Sequence, residues 1–195
     1  MAWGVRAKGP APPSILTREQ SLLLVVDVQE KLFPVMDSEL RDGVAKNLKA
    51  LGAAARRLSL PLLLSEQYPK GLGHTLPELQ EALGQVSPVE KVAFSCCDVP
   101  SFTEQLNGSR KSQVVLAGIE AHVCVLMTGL DLLNLGYQVH VVADATCSRS
   151  RQNWQLGLQQ LRHAGAVITS TESVIFQLLR RADTDEFRAI QALIK

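Results

Sequence analysis

Ser21-Leu22-Leu23-Leu24-Val25-Val26-Asp27 is an unbroken apolar run closed by an acid. A strand buried on both faces reads this way, because helices covering both sides of a parallel sheet leave no solvent face for polar residues. The closing carboxylate then stands at the strand's C-terminal end, where open parallel sheets form their sites. Downstream, Leu40, Val44, Leu48, Leu51, Ala55 and Leu58 recur at spacings of three and four, so Glu39 to Leu58 is expected to be a helix that carries the chain back across the sheet.

The same alternation runs to the C-terminus. Further strands are expected at Leu60–Ser65, near Gln85–Val89, and at Gln113–Gly118, Gln138–Ala143 and Ala166–Ser170. Between the first two lie a loop with Tyr68, Pro69, Gly71 and Gly73 and a short helix from Pro77 to Leu83. Ser101 with Glu104 three residues on has the spacing of a capping box for another helix. A helix opening near Cys124 and one opening near Ser150 end at Gly136 and Gly165, residues suited to the left-handed position past a helix end. Glu172 to Arg180 and a last helix opening at Asp183–Glu186, with Phe187, Ile190 and Leu193 inward, complete the chain. Strands alternating with helices across short connections imply right-handed crossovers and a parallel sheet.

Composition narrows the function classes. With 195 residues the chain suits one domain. Its 20 Lys and Arg against 19 Asp and Glu create no field for nucleic acid or an acidic membrane, and no apolar run nears the ~20 residues that span a bilayer. A small-molecule partner is the expectation. The 4 cysteines, Cys96, Cys97, Cys124 and Cys147, form no CxxC pair, which together with the lack of a secretory core points to a reducing, cytoplasmic setting, with nuclear or mitochondrial placement also open. Residues 1–13 carry Arg6, Lys8 and three prolines without an acid and read as a flexible tail, with a short targeting peptide as the alternative. Residues 14–195 form the expected domain.

Three reactive side chains map to strand C-termini. Asp27 follows the first strand, Lys91 the third, and Cys124 the fourth, within Ala117-Gly-Ile-Glu-Ala-His-Val-Cys-Val125. In the order 3-2-1-4-5-6 the first and fourth strands are neighbours, so Asp27 faces Cys124 where strand order reverses. A thiol needs help at neutral pH; a helix N-terminus and an ammonium at Lys91 would favour its thiolate. Asp27 would accept the thiol proton and return it to a leaving group, or orient water. Backbone amides of Glu120 and Cys124 are candidates for an oxyanion hole. Lys91 starts two strands, roughly 10 Å at ~4.8 Å per strand, from the first strand, so its segment has to fold back over the sheet.

At these residues the chain resembles the isochorismatase-like hydrolases, cysteine hydrolases that include nicotinamidases, other small-amide hydrolases and isochorismatases. The matching pieces are Val26-Asp27-Val28-Gln29, Lys91 with Phe94, and Gly118-Ile-Glu-Ala-His-Val-Cys124-Val, and the likeness runs from Ile15 to the C-terminus. The resemblance implies an α/β Rossmann-like three-layer sandwich with a six-stranded parallel sheet. It also implies an Asp27-Lys91-Cys124 triad, a cis peptide at Ile119-Glu120 and a homo-oligomer. Gln29, Phe33, Tyr68, Phe94 and Ile119 are candidates to line the pocket, the aromatics having packing as their alternative role. Two departures matter. Where nicotinamidases carry a metal-binding Asp-x-His, this chain has Glu66-Gln67-Tyr68 with His74 nearby, so neither metal nor cofactor is expected and nicotinamide is a weaker substrate expectation. Ala121 stands where many relatives place a threonine, removing a hydroxyl that would organise the turn.

The remaining polar residues read as structural. Cys96, Cys97 and Cys147 are expected to be buried small hydrophobes, and His140, alternating with apolar neighbours, a packed histidine. His122 and His74 are less favoured as thiol partners. Gly71-Leu-Gly73 lacks the spacing of a phosphate loop. A metal-independent cysteine hydrolase of a small carbonyl or amide substrate is the leading reading. The alternative is a catalytically weak or inactive family member that binds a protein partner.

Overall fold

Strands β1 (Ser21–Val26), β2 (Leu62–Gln67), β3 (Val89–Lys91), β4 (Gln113–Ile119), β5 (Gln138–Cys147) and β6 (Val167–Thr169) form one sheet in the computed structural model, which describes residues 15–192. Every neighbouring pair is parallel and the order is β3-β2-β1-β4-β5-β6, as expected. The helices are α1 (Ser38–Arg57), α2 (Pro69–Leu72), α3 (Pro77–Leu83), α4 (Pro100–Gly108), α5 (Cys124–Asn134), α6 (Arg151–Ala164), α7 (Thr171–Leu179) and α8 (Asp185–Gln191). The expected tail over residues 1–13 and the inward Leu193 lie outside the described residues.

The apolar run that opens the sheet divides itself between two layers. Leu23 and Val25 pack with Val44, Leu48 and Leu51 of α1 and with Val174, Ile175 and Leu178 of α7. Leu22, Leu24 and Val26 point the other way, against Phe102 of α4, Val125 and Leu132 of α5, and Leu161 of α6. Alternate side chains of one strand thus enter different cores, which is why every residue of β1 is buried.

Four local expectations are corrected. The third strand is Val89–Lys91 rather than Gln85–Val89: Gln85 has a left-handed φ of 61°, and Pro88 has no N–H to donate, so pairing with β2 starts only after it. Lys91 is therefore the last residue of that strand rather than a residue beyond it. Ser101 and Glu104 form no capping box, because Pro100 takes the first helical position and Val99 becomes the cap. β5 runs on to Cys147 past Asp144, with a register break against β4 between Leu116 and Gly118. Asp144 is exposed at that break, and its Oδ1 accepts from the backbone N–H and hydroxyl of Thr171. The Tyr68–Gly73 loop also contains the single turn α2.

Close contact between β1 and β4 sets the floor of the crevice. Gly118 has φ 118°, and a Cβ there would lie 2.2 Å from the Val26 carbonyl oxygen. Only glycine lets the two strands meet at this level, one residue before Asp27 on β1 and one residue before the cis Ile119–Glu120 peptide on β4.

Candidate active site

Asp27 leaves β1 with a left-handed φ of 55°, a conformation that aspartate tolerates better than most residues. Its side chain is fully buried and both oxygens are engaged: Ser65 Oγ of β2 donates to Oδ1 at 2.7 Å and Lys91 Nζ to Oδ2 at 2.7 Å. Lys91 reaches there from the edge strand across β2. Its Nζ also donates to Gln67 Oε1 at 2.7 Å, to the Phe94 carbonyl at 3.2 Å and to the Ala93 carbonyl at 3.3 Å. The chain after β3 therefore does fold back, and its carbonyls close around the ammonium. Burial is the largest single influence and works against the charge of Lys91, but the charge of Asp27, its hydrogen bond and the neighbouring Cys124 and Cys96 together lift the lysine above its ordinary range.

Cys124 opens α5 across the crevice, 7 % exposed, with its thiol in hydrogen-bonding reach of Asp27 and Lys91. The help expected from Lys91 is outweighed at rest. Burial first, and then the Asp27 charge, push the thiol up to about 12, and the opposing pull of Lys91 is smaller. The reason is geometric: the ammonium is spent on Asp27, so the thiol meets a neutralised pair rather than a free cation.

The turn before Cys124 is rigid without the hydroxyl that Ala121 lacks. Ala121 N–H donates to the Cys147 carbonyl at 2.9 Å, and the Glu120 carbonyl accepts from both Val123 and Val125. Those two bonds step over the Cys124 amide, which donates to no protein group among the described residues. The Ile119–Glu120 peptide is cis, as the resemblance implies. From outside, α6 presses on the turn at Gly157, where a Cβ would fall 2.3 Å from the Ala121 carbonyl oxygen. Gly157→Ala is expected to cost about 1–3 kcal/mol through this clash and to change the rate of Cys124 alkylation. Urea unfolding and peptide-resolved labelling measure the two, and an unchanged midpoint would remove the contact from the account.

Cys124 and Asp27 lie on the wall of a cavity of about 410 Å³. Tyr68, Phe94 and Ile119 line it, as expected, and both aromatics are half exposed. Gln29 and Phe33 do not line it. Gln29 is wholly buried, and its amide is consumed by the Gln67 N–H, the Gln67 carbonyl and the Gly73 carbonyl, so it ties β1 to the loop after β2. Phe33 belongs to the α1 core layer. Sequence reasoning missed Leu32, Gln67, Leu72, Val92 and Val123 as lining residues; isolated positions in loops, in a single helical turn or at a strand end carry no periodic signal. It also missed Ser65, which fixes the carboxylate of Asp27 from within a buried strand.

His74, His122 and His140 stay apart from the thiol. His74 pairs with Glu66 at 3.1 Å, His122 Nδ1 lies 3.0 Å from Ser148 Oγ, and His140 is buried in β5. Cys96 and Cys147 are buried and Cys97 partly so, all of them with free thiols raised above the ordinary range chiefly by burial.

The isochorismatase domain model matches residues 21–173, which include Asp27, Lys91 and Cys124. The chain belongs to the isochorismatase domain family. Isochorismatase domain-containing protein 2A of Mus musculus is 44% identical over 180 residues, 91% of this chain and 84% of the relative. The solved MAR1 ribonuclease of Caenorhabditis elegans superposes with a TM-score of 0.86 at 40% identity, covering 93% of this chain and 92% of that one. YcaC of Pseudomonas aeruginosa, solved with hexane-2,5-diol and covalent acrylamide, gives 0.88 at 27% identity, covering 94% and 93%. Within this family the metal ligands of nicotinamidases have no fitting counterpart after β2. Glu66 Oε1 accepts from the backbone and hydroxyl of Thr75 and Oε2 faces His74, so the carboxylate is built into the loop. Among the described residues no group of three or more His, Cys, Asp or Glu is placed to hold a metal ion.

Proposed function

We propose that this isochorismatase-family chain is a cysteine hydrolase acting on a small carbonyl or amide substrate without a metal. The observation that carries the reading is the buried Asp27–Lys91 pair, 2.7 Å apart, within reach of a thiol that opens onto the cavity. Because Cys124 rests as a thiol, deprotonation accompanies attack. Sγ bonds to the substrate carbonyl carbon while its proton passes to Asp27, and Lys91 balances the charge now shared with sulfur. Collapse breaks the bond to the leaving group, which takes the proton from Asp27. Water then attacks the thioester and loses a proton to Asp27; the C–S bond breaks and the proton returns to sulfur. The unengaged Cys124 amide, with that of Glu120, serves as the oxyanion hole, each donor worth on the order of 100-fold or more.

A panel of small amides and activated esters tests this. Wild type is expected to turn over at least one member and to accumulate an acyl adduct on Cys124 detectable by mass spectrometry. Cys124→Ala is expected to lose on the order of a thousandfold or more. Retained turnover in Cys124→Ala would falsify the mechanism. The name ribonuclease attached to the Caenorhabditis elegans structure favours a second assay on RNA. The near-neutral net charge of +1 and the largely apolar cavity support the small-molecule reading over a polyanion. Free thiols at all four cysteines support a reducing, cytoplasmic setting. The exposed Val92, Phe94 and Tyr68 beside the cavity support a homo-oligomer, which light scattering against the 21.2 kDa chain would weigh. No helix among the described residues is long and apolar enough to cross a membrane.

A further inference from the structure

Resting on that reading of the site, we infer that the cavity selects uncharged substrates with an apolar body and rejects carboxylates, and that Glu120 is a specificity-determining residue. The polar groups around the cavity are almost all consumed inside the protein. Lys91 has three N–H donors and meets four acceptors, Asp27, Gln67 and the carbonyls of Ala93 and Phe94, so it offers nothing to a ligand anion. Gln67 is spent as well, its Oε1 on Lys91 and its Nε2 on the Val92 carbonyl at 2.9 Å. The carboxylate of Asp27 is already neutralised, so a ligand cation gains little there. What remains is apolar wall, Leu32, Leu72, Val92, Phe94 and Val123, around one thiol, one free amide and the neutral hydroxyl of Tyr68.

An anionic substrate would need a cation at the rim. Arg149 is the guanidinium attached there, but its Nε donates to Glu120 Oε1 at 2.5 Å, and Glu120 borders the cavity. Glu120 therefore turns the Nε of this guanidinium to itself and cancels its charge, so the pair offers a substrate carboxylate no net positive field. A carboxylate entering the cavity would lose water and meet no cation, only the neutral donors of the Cys124 amide and the Tyr68 hydroxyl, a desolvation cost that an uncharged amide of the same shape avoids.

Benzamide and 4-carbamoylbenzoate, matched in shape except for the added carboxylate, form the test. Binding is measured by NMR titration of full-length Cys124→Ala, and hydrolysis with the wild-type chain. Benzamide is expected to bind at least tenfold more tightly than 4-carbamoylbenzoate. Adding Glu120→Gln is expected to shrink that ratio by improving the carboxylate, whereas Arg149→Gln leaves or widens it. Equal or tighter binding of 4-carbamoylbenzoate, binding of neither compound, or a ratio indifferent to Glu120→Gln overturns the selectivity. Benzamide bound with the expected preference but never hydrolysed by wild type would sustain the selectivity and count against the hydrolase reading. Both compounds hydrolysed alike, with activity lost in Cys124→Ala, would do the reverse.

Discussion

Asp27→Asn is expected to make Cys124 react faster with iodoacetamide at pH 7–8 while lowering turnover by roughly 10²–10⁴-fold. The two effects have opposite signs because Asp27 does opposite things to the thiol. At rest its charge, after burial, is what holds the thiol up to about 12, and Lys91 alone pulls the other way. Removing the carboxylate leaves a buried ammonium beside sulfur, so the thiol falls, and each pH unit of that fall raises the thiolate fraction at neutral pH about tenfold. Turnover is lost nonetheless, since no group remains to carry the proton to the leaving group. Breaking the buried pair also costs about 3–5 kcal/mol of stability, so peptide-resolved labelling is compared below the unfolding transition. Lys91→Met is the counterpart and should slow the labelling of Cys124. Slower labelling in Asp27→Asn would mean that the carboxylate does not govern the thiol.

The parts of this site that were legible in the sequence are those written by local rules. A buried strand closed by an acid placed Asp27, and a strand, a tight turn and a helix start placed Cys124; both stand where the sheet order predicts. Lys91 was legible as a residue but not as a geometry. Its reach depends on Gln67 lying opposite it in the ladder and on two backbone carbonyls returning from residues 93 and 94, neither of which has a periodic signature. The balance of charge at Cys124 was not legible for a related reason. Counting a nearby cation suggests a thiolate, whereas the outcome turns on which anion that cation already serves. Gln29, from the motif around Asp27, and Phe33, an aromatic with packing as its alternative role, were candidate pocket residues, yet the chain turns after Val28 and sends one into a backbone clamp and the other into the α1 layer.

Acid should destabilise this fold through His140. The ring is 2 % exposed in β5, and neither Nδ1 nor Nε2 has a hydrogen-bond partner among the described residues. Burial lowers it from 6.5 to about 4, with no charged group contributing. The sign follows from linkage: as pH falls below 6.5 the unfolded chain takes up a proton that the folded chain refuses until about 4, so stability is lost across that window. At about 1.4 kcal/mol per pH unit the gap is worth about 3 kcal/mol. His140→Val places a β-branched residue, suited to a strand, at this site and removes the proton site. Urea unfolding at pH 7 and pH 4 should show wild type losing about 3 kcal/mol more than the variant; parallel losses would acquit the histidine.

The reach of Lys91 has a consequence for how the molecule comes apart. β3 is three residues long and is paired on one side only, the weakest kind of attachment a sheet offers. The lysine that ends it is anchored beneath the neighbouring strand, to the carboxylate at the centre of the sheet. That side chain is a rivet as much as a charge. A brief local opening of the margin, with both hydrophobic layers intact, would withdraw it and dismantle the catalytic group, so the chemistry is only as durable as the edge that is fastened by it.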